Sequence, residues 1–354
     1  MSKDIRRMLC GCCAAANPPP RGATLSRRQV VVGAAAAGLA PFCAQAQVNA
    51  PAVKRIDVHH HFLPDFHVRA VAPTRVGSNL AAWTPETSLA EMEKSGVATA
   101  IVSAIQPGVW LGDAAQARAL ARELNEYAAK MVREHPGRFG FWASLPLPDV
   151  DGSLKEIEYA LDTLKANGIG LMTSIGGKYL GDKAFAPVFD ELNRRKATVY
   201  THPLTPDCCK GLVPGVPAGT TEYATDTTRT IASLLFSGTT TRCPDIRFIV
   251  SHSGGTLPFL AGRFVHQAAQ QKPPFLPNGP MPEFRKLYYD IAQGNTPGQL
   301  AALLTIAPVS QLLFGTDYPF RRGSEAIEGL AAYGFAPADL AAIESGNALK
   351  LLRG

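Results

Sequence analysis

Three consecutive histidines stand at 59–61 in "RIDVHHHFLP", within a chain of 354 residues that contains only eight histidines. Imidazole nitrogens are common metal ligands and proton carriers near neutral pH. Side chains alternate between faces in an extended segment, so His59 and His61 share a face while His60 points away and packs outward. Their Cβ atoms would lie roughly 6.5 Å apart, which lets both imidazoles reach one ion. The pair therefore predicts half of a metal site.

Three more residues that can bind a metal or carry a proton follow short apolar runs. His202 lies in "YTHP", His252 in "VSHSGG" and Asp317 in "FGTDYP". The donor set His59, His61, His202 and Asp317 suits one divalent ion, with zinc as the first choice and manganese as the alternative. His252 can serve as a further ligand or as a proton carrier beside the ion.

The elements that must position these residues alternate along the chain. Runs rich in β-branched and aromatic residues predict eight strands, over 55–62, 99–105, 138–146, 168–175, 197–203, 246–254, 286–294 and 311–319. Helical patterns separate them, and the best marked begins at Thr84-Pro85 and ends at Gly96. We therefore predict an α/β protein with one (β/α)8 barrel domain, whose catalytic side chains lie at the carboxyl ends of the strands.

The other helical patterns and the loops complete this prediction. Further helices are expected over 114–137, 226–238 and 336–352, and long loops over 205–221 and 271–284. No glycine-rich nucleotide fingerprint follows the first strand, which argues against a dinucleotide-binding fold.

Residues 1–46 have the features of an export signal. Arg27-Arg28 precede an apolar stretch of small residues that ends in the A-x-A triplet 44–46. We predict a cleaved twin-arginine signal peptide over 1–46 and a mature periplasmic barrel over 47–354, with no stable membrane insertion. An ordinary secretory signal and an uncleaved anchor are the alternatives.

The charge of the mature chain argues against nucleic acid as a partner, and its cysteine count argues against a disulfide framework. The leader holds six basic residues and one acidic residue, or +5 of the formal +6, so residues 47–354 carry +1. This near-neutral domain has no electrostatic footprint for nucleic acid. Cys208, Cys209 and Cys243 remain after cleavage, and their odd number predicts free thiols rather than a disulfide framework.

The segments "IDVHHHFLP", "THP", "SHSGGTLPFLAGRF" and "GTDYPF", in this order, resemble the amidohydrolase superfamily. They are closest to its aminocarboxymuconate-semialdehyde decarboxylase-like branch, amidohydrolase family 2. With the "NAL" near the carboxyl terminus they cover nearly the whole mature chain. Within the branch, "GLVPG", "DTTRTIASLLFSGT" and "CPDIRFIVSHSGGTLPFLAGRF" look most like 6-methylsalicylate decarboxylases.

This resemblance implies a mononuclear metal site with the ligands His59, His61, His202 and Asp317, and His252 as the catalytic histidine. Binuclear amidohydrolases use a carbamylated lysine from the fourth strand, whereas "GIGLMTSI" here contains no lysine and Lys178 falls beyond it. The expected cofactor is therefore one divalent ion, with no organic cofactor.

The resemblance also points to two arginines that would bind the substrate carboxylate. Arg263 lies eleven residues after His252, and in relatives the corresponding arginine reaches the site of a neighbouring subunit, which implies a homodimer or homotetramer. A surface salt bridge is the alternative role for Arg263, and Arg229 is the alternative carboxylate partner. The stretch "GSNLAAWTPE" lacks the second arginine of the muconate-semialdehyde enzyme, which favours a monocarboxylate substrate.

The function predicted from these residues is non-oxidative decarboxylation of a small aromatic carboxylate, a 2-hydroxybenzoate such as 6-methylsalicylate. Protonation of the ring carbon would precede loss of CO2, with Asp317 as the first candidate donor and His252 as its competitor. The main alternative is a metal-dependent hydrolase or hydratase that acts on a C–O, C–N or C–C bond of a small carboxylate. A non-catalytic periplasmic binding protein is the second alternative.

Overall fold

Eight parallel strands form one sheet, in the order β1-β2-β3-β4-β7-β8-β9-β10. The computed structural model describes residues 54–72 and 83–353, so the predicted signal peptide lies outside the described residues. The strands are β1 Arg55–His61, β2 Val97–Ser103, β3 Phe139–Ser144, β4 Gly168–Met172, β5 Ser174–Ile175, β6 Lys178–Tyr179, β7 Thr198–His202, β8 Arg247–Val250, β9 Tyr288–Asp290 and β10 Leu312–Leu313. The two short strands β5 and β6 pair separately as an antiparallel hairpin.

Backbone hydrogen bonds bring the two edges of the eight-stranded sheet together. Val58 N donates to Phe314 O at 3.0 Å, and His61 N donates to Tyr318 O at 2.8 Å. The approach depends on Gly315, where an added Cβ would lie 2.9 Å from the Cβ of His59. The prediction of a (β/α)8 barrel is confirmed, although the regular ladder of the last strand is only two residues long.

Helices cover the outside of the sheet and follow the expected start and stop signals. They are α1 Asp65–Val71, α2 Pro85–Ser95, α3 Ala114–Glu134, α4 Val150–Glu158, α5 Ala186–Arg194, α6 Ala218–Phe236, α7 Thr239–Arg242, α8 Leu257–Gln271, α9 Pro280–Phe284, α10 Pro297–Leu304, α11 Gly323–Tyr333, α12 Pro337–Ala341 and α13 Asn347–Arg353. Thr84 forms a capping box with Thr87, and Gly96 ends α2 with a φ of 61°.

Three segments differ from the sequence prediction. Helix α6 begins inside the predicted loop 205–221, directly after Pro217, and α9 lies inside the predicted loop 271–284 with a proline in its first turn. The single helix predicted over 336–352 is interrupted by a π-helical turn, Ala342–Gly346. This turn presents the Ile343 carbonyl to Phe314 N at 3.1 Å, so the wider turn ties the last helices to the barrel.

The core has two layers, as expected for a barrel surrounded by helices. Ile56, Val58, Trp142, Tyr200 and Ile249 belong to a smaller buried cluster, and a larger cluster joins the strands to the helices. The strands of the barrel are buried along nearly their whole length, which explains their near-continuous apolar sequence. In the described part of the chain, no helix has the length and hydropathy needed to cross a bilayer. Cys208, Cys209 and Cys243 are free thiols, as predicted.

Candidate metal centre and active site

Four of the predicted residues meet at the carboxyl ends of the strands. His59, His61, His202 and Asp317 are buried, and one potential ligand atom from each lies within 4.8 Å of the others. Asp317 Oδ1 lies 3.3 Å from His59 Nε2 and 3.1 Å from His61 Nε2. These are the four residues that the strand-end positions predicted as ligands.

The ligand imidazoles are fixed through their other ring nitrogen. His59 Nδ1 lies 3.1 Å from both carboxylate oxygens of Asp290. His61 Nδ1 lies 3.1 Å from Ser103 Oγ. His202 Nδ1 donates to its neighbouring Pro203 carbonyl at 2.7 Å. Holding Nδ1 in this way leaves Nε2 of each ring for a ligand.

The donor set fits a divalent metal ion. His59 Nε2, His61 Nε2 and Asp317 Oδ1 are buried, and although they lie close together they are not aligned for a hydrogen bond with one another or with any other group. Buried polar atoms without partners are costly, and three of them converge here with His202. Three nitrogens and one carboxylate oxygen suit zinc or manganese, so a bound ion would supply the missing interactions.

The three histidines of the cluster have pKa values shifted in different directions. Burial favours the neutral imidazole of His59, but Asp290 and Asp317 outweigh it and raise the pKa of His59 to about 10. Burial lowers the pKa of His61 and holds the pKa of His202 well below its ordinary value. Burial also opposes ionisation of Asp317, yet the charge of His59 keeps the pKa of Asp317 well below its usual range. Together these shifts favour a protonated His59 and neutral His61 and His202 when no ion is bound.

Metal binding should displace that proton. Because the pKa of His59 is about 10, we expect binding of Zn²⁺ or Mn²⁺ at pH 7 to release about one proton, and affinity to rise about tenfold per pH unit below pH 10. Calorimetric titration in buffers of different ionisation enthalpy measures this release. Asp290→Asn removes the carboxylate that raises the pKa of His59 most, so this variant should release less than one proton when it binds metal. Metal binding without proton release by the unaltered protein would contradict the assignment.

His252 lies beside the ligand cluster, at the end of β8. Its Nε2 is 3.6 Å from Asp317 Oδ2, and its ring centroid is 4.8 Å from that of His59. Its backbone N donates to Asp290 Oδ1 at 3.2 Å. His252 and Asp317 have φ values of 55° and 63°, a region that non-glycine residues rarely occupy. Such strained backbone often accompanies functional side chains, in agreement with a role for His252 next to the ligands.

Asp57 and Asp290 support the site but were not predicted from the sequence. Asp57 accepts hydrogen bonds from the backbone N of His59 and of Thr316, each at 3.1 Å. Asp290 holds both the His59 ring and the His252 backbone. The sequence does contain an indication for Asp290, because this residue ends the seventh strand of the barrel in "YYDIAQG". Catalytic residues of such barrels lie at the carboxyl ends of the strands.

The remaining predicted residues lie outside the cluster. His60 is turned away from the ligands and is buried, where its ring nitrogens lie 3.0 Å from Asp57 Oδ2 and Ser88 Oγ. Arg263 lies on the exposed side of α8. The Arg229 Nη2 atom lies 3.8 Å from Cys209 Sγ, and neither arginine is among the residues that line the cavity described next.

A cavity opens to solvent beside the ligand His202, and the cavity together with its open mouth holds about 450 Å³ of space free of protein atoms. Its walls are largely apolar, with Val109, Trp110, Leu145, Leu147, Met172 and Ile175. Ser103, Ser144 and Tyr200 add polar atoms, and the buried Tyr200 hydroxyl has no hydrogen-bond partner. An apolar cavity with a few polar groups next to a metal centre is the expected form of a small-molecule site.

Comparison with known proteins identifies the family. The family model described as amidohydrolase matches residues 56–354. The chain therefore belongs to the amidohydrolase family, as its motifs predicted.

Individual relatives narrow the class further. The chain is 40% identical over 284 residues to decarboxylase yanB of Aspergillus niger, covering 75% of this chain and 77% of the relative. It is 37% identical over 281 residues to 6-methylsalicylic acid decarboxylase of Penicillium expansum, covering 75% and 85%. The protein is a carboxy-lyase of the amidohydrolase superfamily, as predicted.

A solved structure supports the fold alone. A dihydroxybenzoic acid decarboxylase from Polaromonas sp. JS666, with bound manganese and 2-nitroresorcinol, superposes with a TM-score of 0.74 at 22% identity. The match covers 85% of this chain and 97% of that one.

Proposed function

We propose that this protein is a metal-dependent, non-oxidative decarboxylase of a small aromatic 2-hydroxybenzoate, with 6-methylsalicylate as the first candidate. The observation that carries the proposal is a buried cluster of three histidines and one aspartate that adjoins an apolar cavity. The name of the Penicillium expansum relative supports the choice of substrate. Zinc is our first choice of metal from the donor set, and manganese is the alternative.

The cavity supports an aromatic substrate with an apolar substituent. Leu145, Leu147, Met172 and Ile175 offer surface that would cover a ring and a methyl group. Burying one methyl-sized group contributes about 0.8 kcal/mol to binding. Burying a hydroxyl without a hydrogen-bond partner weakens binding instead. These apolar walls therefore favour a methyl substituent over a further hydroxyl wherever the substituent lies away from Ser103, Ser144 and Tyr200.

In this proposal, His59, His61, His202 and Asp317 would hold a divalent ion, and its positive charge would stabilise negative charge on the oxygens of the substrate. The side chains of the protein then hold and move the proton. Asp317 Oδ2 and His252 Nε2 lie 3.6 Å apart at the ligand cluster, and the proposal places the reacting ring carbon next to them. One of them donates a proton to the ring carbon that bears the carboxylate, and a C–H bond forms. The bond to the carboxylate then breaks, its electron pair restores the aromatic ring, and CO2 leaves.

Asp317 remains our first candidate for the donor. Its Oδ1 faces His59 and His61, while its Oδ2 faces His252, so one carboxylate borders both the ligand cluster and the proton carrier. His252 is the competing donor, or it returns the proton to Asp317 between turnovers. The hydrolase alternative gains no support from the relatives above, which are named as decarboxylases.

We also propose that the protein is a homodimer or homotetramer. Phe259 is 89% exposed on α8, and Val265 on the same helix is also exposed. Exposed apolar patches often mark interfaces with another protein, and the nearly fully exposed Phe259 would contribute to such a patch. Arg263 lies on the same helix and would there reach the substrate carboxylate of the neighbouring subunit, whereas Arg229 would have to leave Cys209 to do so. Sedimentation analysis tests the association state.

Export remains a further proposal. The twin-arginine motif and the A-x-A triplet support removal of residues 1–46 during transfer to the periplasm. The mass of the mature protein recovered from a periplasmic extract tests the cleavage position.

The decisive experiment is a CO2-release assay of the purified protein with Zn²⁺ or Mn²⁺. We expect release from 6-methylsalicylate, slower release from salicylate and 2,6-dihydroxybenzoate, and none from 4-hydroxybenzoate, which lacks the adjacent phenolic oxygen. A chelator should abolish turnover and added metal should restore it. Absence of CO2 from every 2-hydroxybenzoate would overturn the proposal.

A further inference from the structure

We propose that Gln293 is a positioning residue that fixes the orientation of the Asp317 carboxylate. Gln293 follows β9, lies outside the predicted ligand set, and was not singled out from the sequence. Its Nε2 atom donates a hydrogen bond to Asp317 Oδ2. The proposed role extends the function proposed above and rests on it.

The two oxygens of Asp317 have different surroundings. Oδ1 lies against His59 and His61, whereas Oδ2 lies against Gln293 and His252. Rotation about the last side-chain bond of an aspartate is broad and roughly two-fold, so the carboxylate itself does little to hold this arrangement. A donor placed against Oδ2 selects one orientation, and Gln293 is such a donor.

The amide of Gln293 is itself oriented. Arg321 Nη2 lies 3.5 Å from Gln293 Oε1, a long contact in which the guanidinium donates. Guanidinium groups only donate and carboxylates only accept, so the amide oxygen belongs toward Arg321 and the amide nitrogen toward Asp317. A flipped amide would place oxygen against carboxylate and N–H against guanidinium. Arg321 and Asp317 thus select the same amide orientation.

The backbone also holds Gln293 in place. Its φ is 53°, in the left-handed region, and its carbonyl accepts from Gln299 Nε2 at 3.4 Å. The following Gly294 N donates to Ile291 O at 3.0 Å, which closes the turn. A non-glycine residue in this conformation is uncommon and costs free energy, so the surrounding turn must stabilise it. The turn directs the side chain toward Asp317.

The consequence is that the two oxygens of Asp317 keep different roles, one toward the metal ligands and one toward His252. With Gln293 in place, Oδ1 stays directed at the ligand histidines while Oδ2 stays directed at His252. Residues that hydrogen-bond to a metal ligand typically change metal affinity or activity by about 10- to 100-fold. Loss of Gln293 should therefore weaken metal binding and slow the proton transfer, with little effect on substrate binding.

Gln293→Met and Gln293→Glu test this role, with Gln311→Met as the matched control. Gln311 is also half-buried, but its Nε2 donates to the Arg285 carbonyl instead. Methionine keeps the size of the side chain and removes both polar atoms, whereas glutamate keeps the acceptor toward Arg321 and opposes a second carboxylate to Asp317. Metal affinity is measured by competition with a chromophoric chelator, and kcat and KM are measured at saturating metal.

We expect Gln293→Met to weaken metal binding and lower kcat by about 10- to 100-fold each, with KM changed by less than about threefold. The loss should be larger in Gln293→Glu and absent in Gln311→Met. Wild-type metal affinity and kcat in either folded Gln293 variant would overturn the proposal. Metal affinity needs no substrate, so it tests the role of Gln293 even if the unaltered protein fails to release CO2.

Discussion

Asp317→Asn is expected to lower kcat for decarboxylation by about 10³-fold while the protein still binds metal. The asparagine keeps an oxygen that can face His59 and His61, but it loses the negative charge and the ability to take up a proton at Oδ2 from His252 and pass it on. Metal content and kcat are measured on the same preparation, at saturating metal. Asp245→Asn, on an exposed carboxylate, is the control and should leave both quantities unchanged.

Full activity of Asp317→Asn with metal bound would exclude Asp317 as the proton donor. The variant His252→Gln then decides the assignment, because it removes the competing donor and keeps a hydrogen-bonding side chain. If Asp317 donates, His252→Gln should retain more activity than Asp317→Asn. If Asp317→Asn retains more activity than His252→Gln, His252 is the proton donor.

His61→Ala is expected to weaken metal binding by more than about 100-fold, since even residues that only support a ligand change affinity by about 10- to 100-fold. The substitution removes one of three nitrogen donors and leaves Asp317 Oδ1 without its neighbour at 3.1 Å. Turnover should fall with metal occupancy and return only partly at high metal concentration. Metal analysis after dialysis, together with kcat as a function of metal concentration, measures both effects.

His60→Ala is the matched control, because it alters the adjacent residue on the other face of the same strand. His60 bonds Asp57 and Ser88 instead of facing the ligand cluster. Its removal should lower the melting temperature but leave metal content close to that of the unaltered protein. Equal loss of metal in His60→Ala and His61→Ala would contradict the ligand assignment.

The convergence of His59, His61, His202 and Asp317 was predictable from the sequence because two simple regularities locate these residues. Alternation along a strand separates His59 and His61 from His60, and the barrel brings the ends of distant strands to one rim. His202 and Asp317 then follow from their places at the ends of the fifth and eighth strands. Each of these steps uses only the period of a strand and the order of elements.

The supporting residues required the structure. Asp290 and Gln293 act through contacts with His59 and Asp317, which are 231 and 24 positions away in the chain. Residue type indicates that an aspartate or glutamine can hydrogen-bond, but the choice of partner depends on distances that strand order leaves open. The cavity was also not predictable, because its walls combine side chains of several strands and loops, and its size depends on how they pack.

Asp290 links two parts of the site through one carboxylate. This carboxylate hydrogen-bonds to the ring of His59 on β1 and to the backbone N of His252 after β8. Asp290 lies at the end of β9, which pairs with β8 in the sheet. A displacement of β9 would therefore carry a ligand and the proton carrier in the same direction. Thermal motion of β9 would then move the His59 ring and the His252 backbone together, with little change in the distance between them.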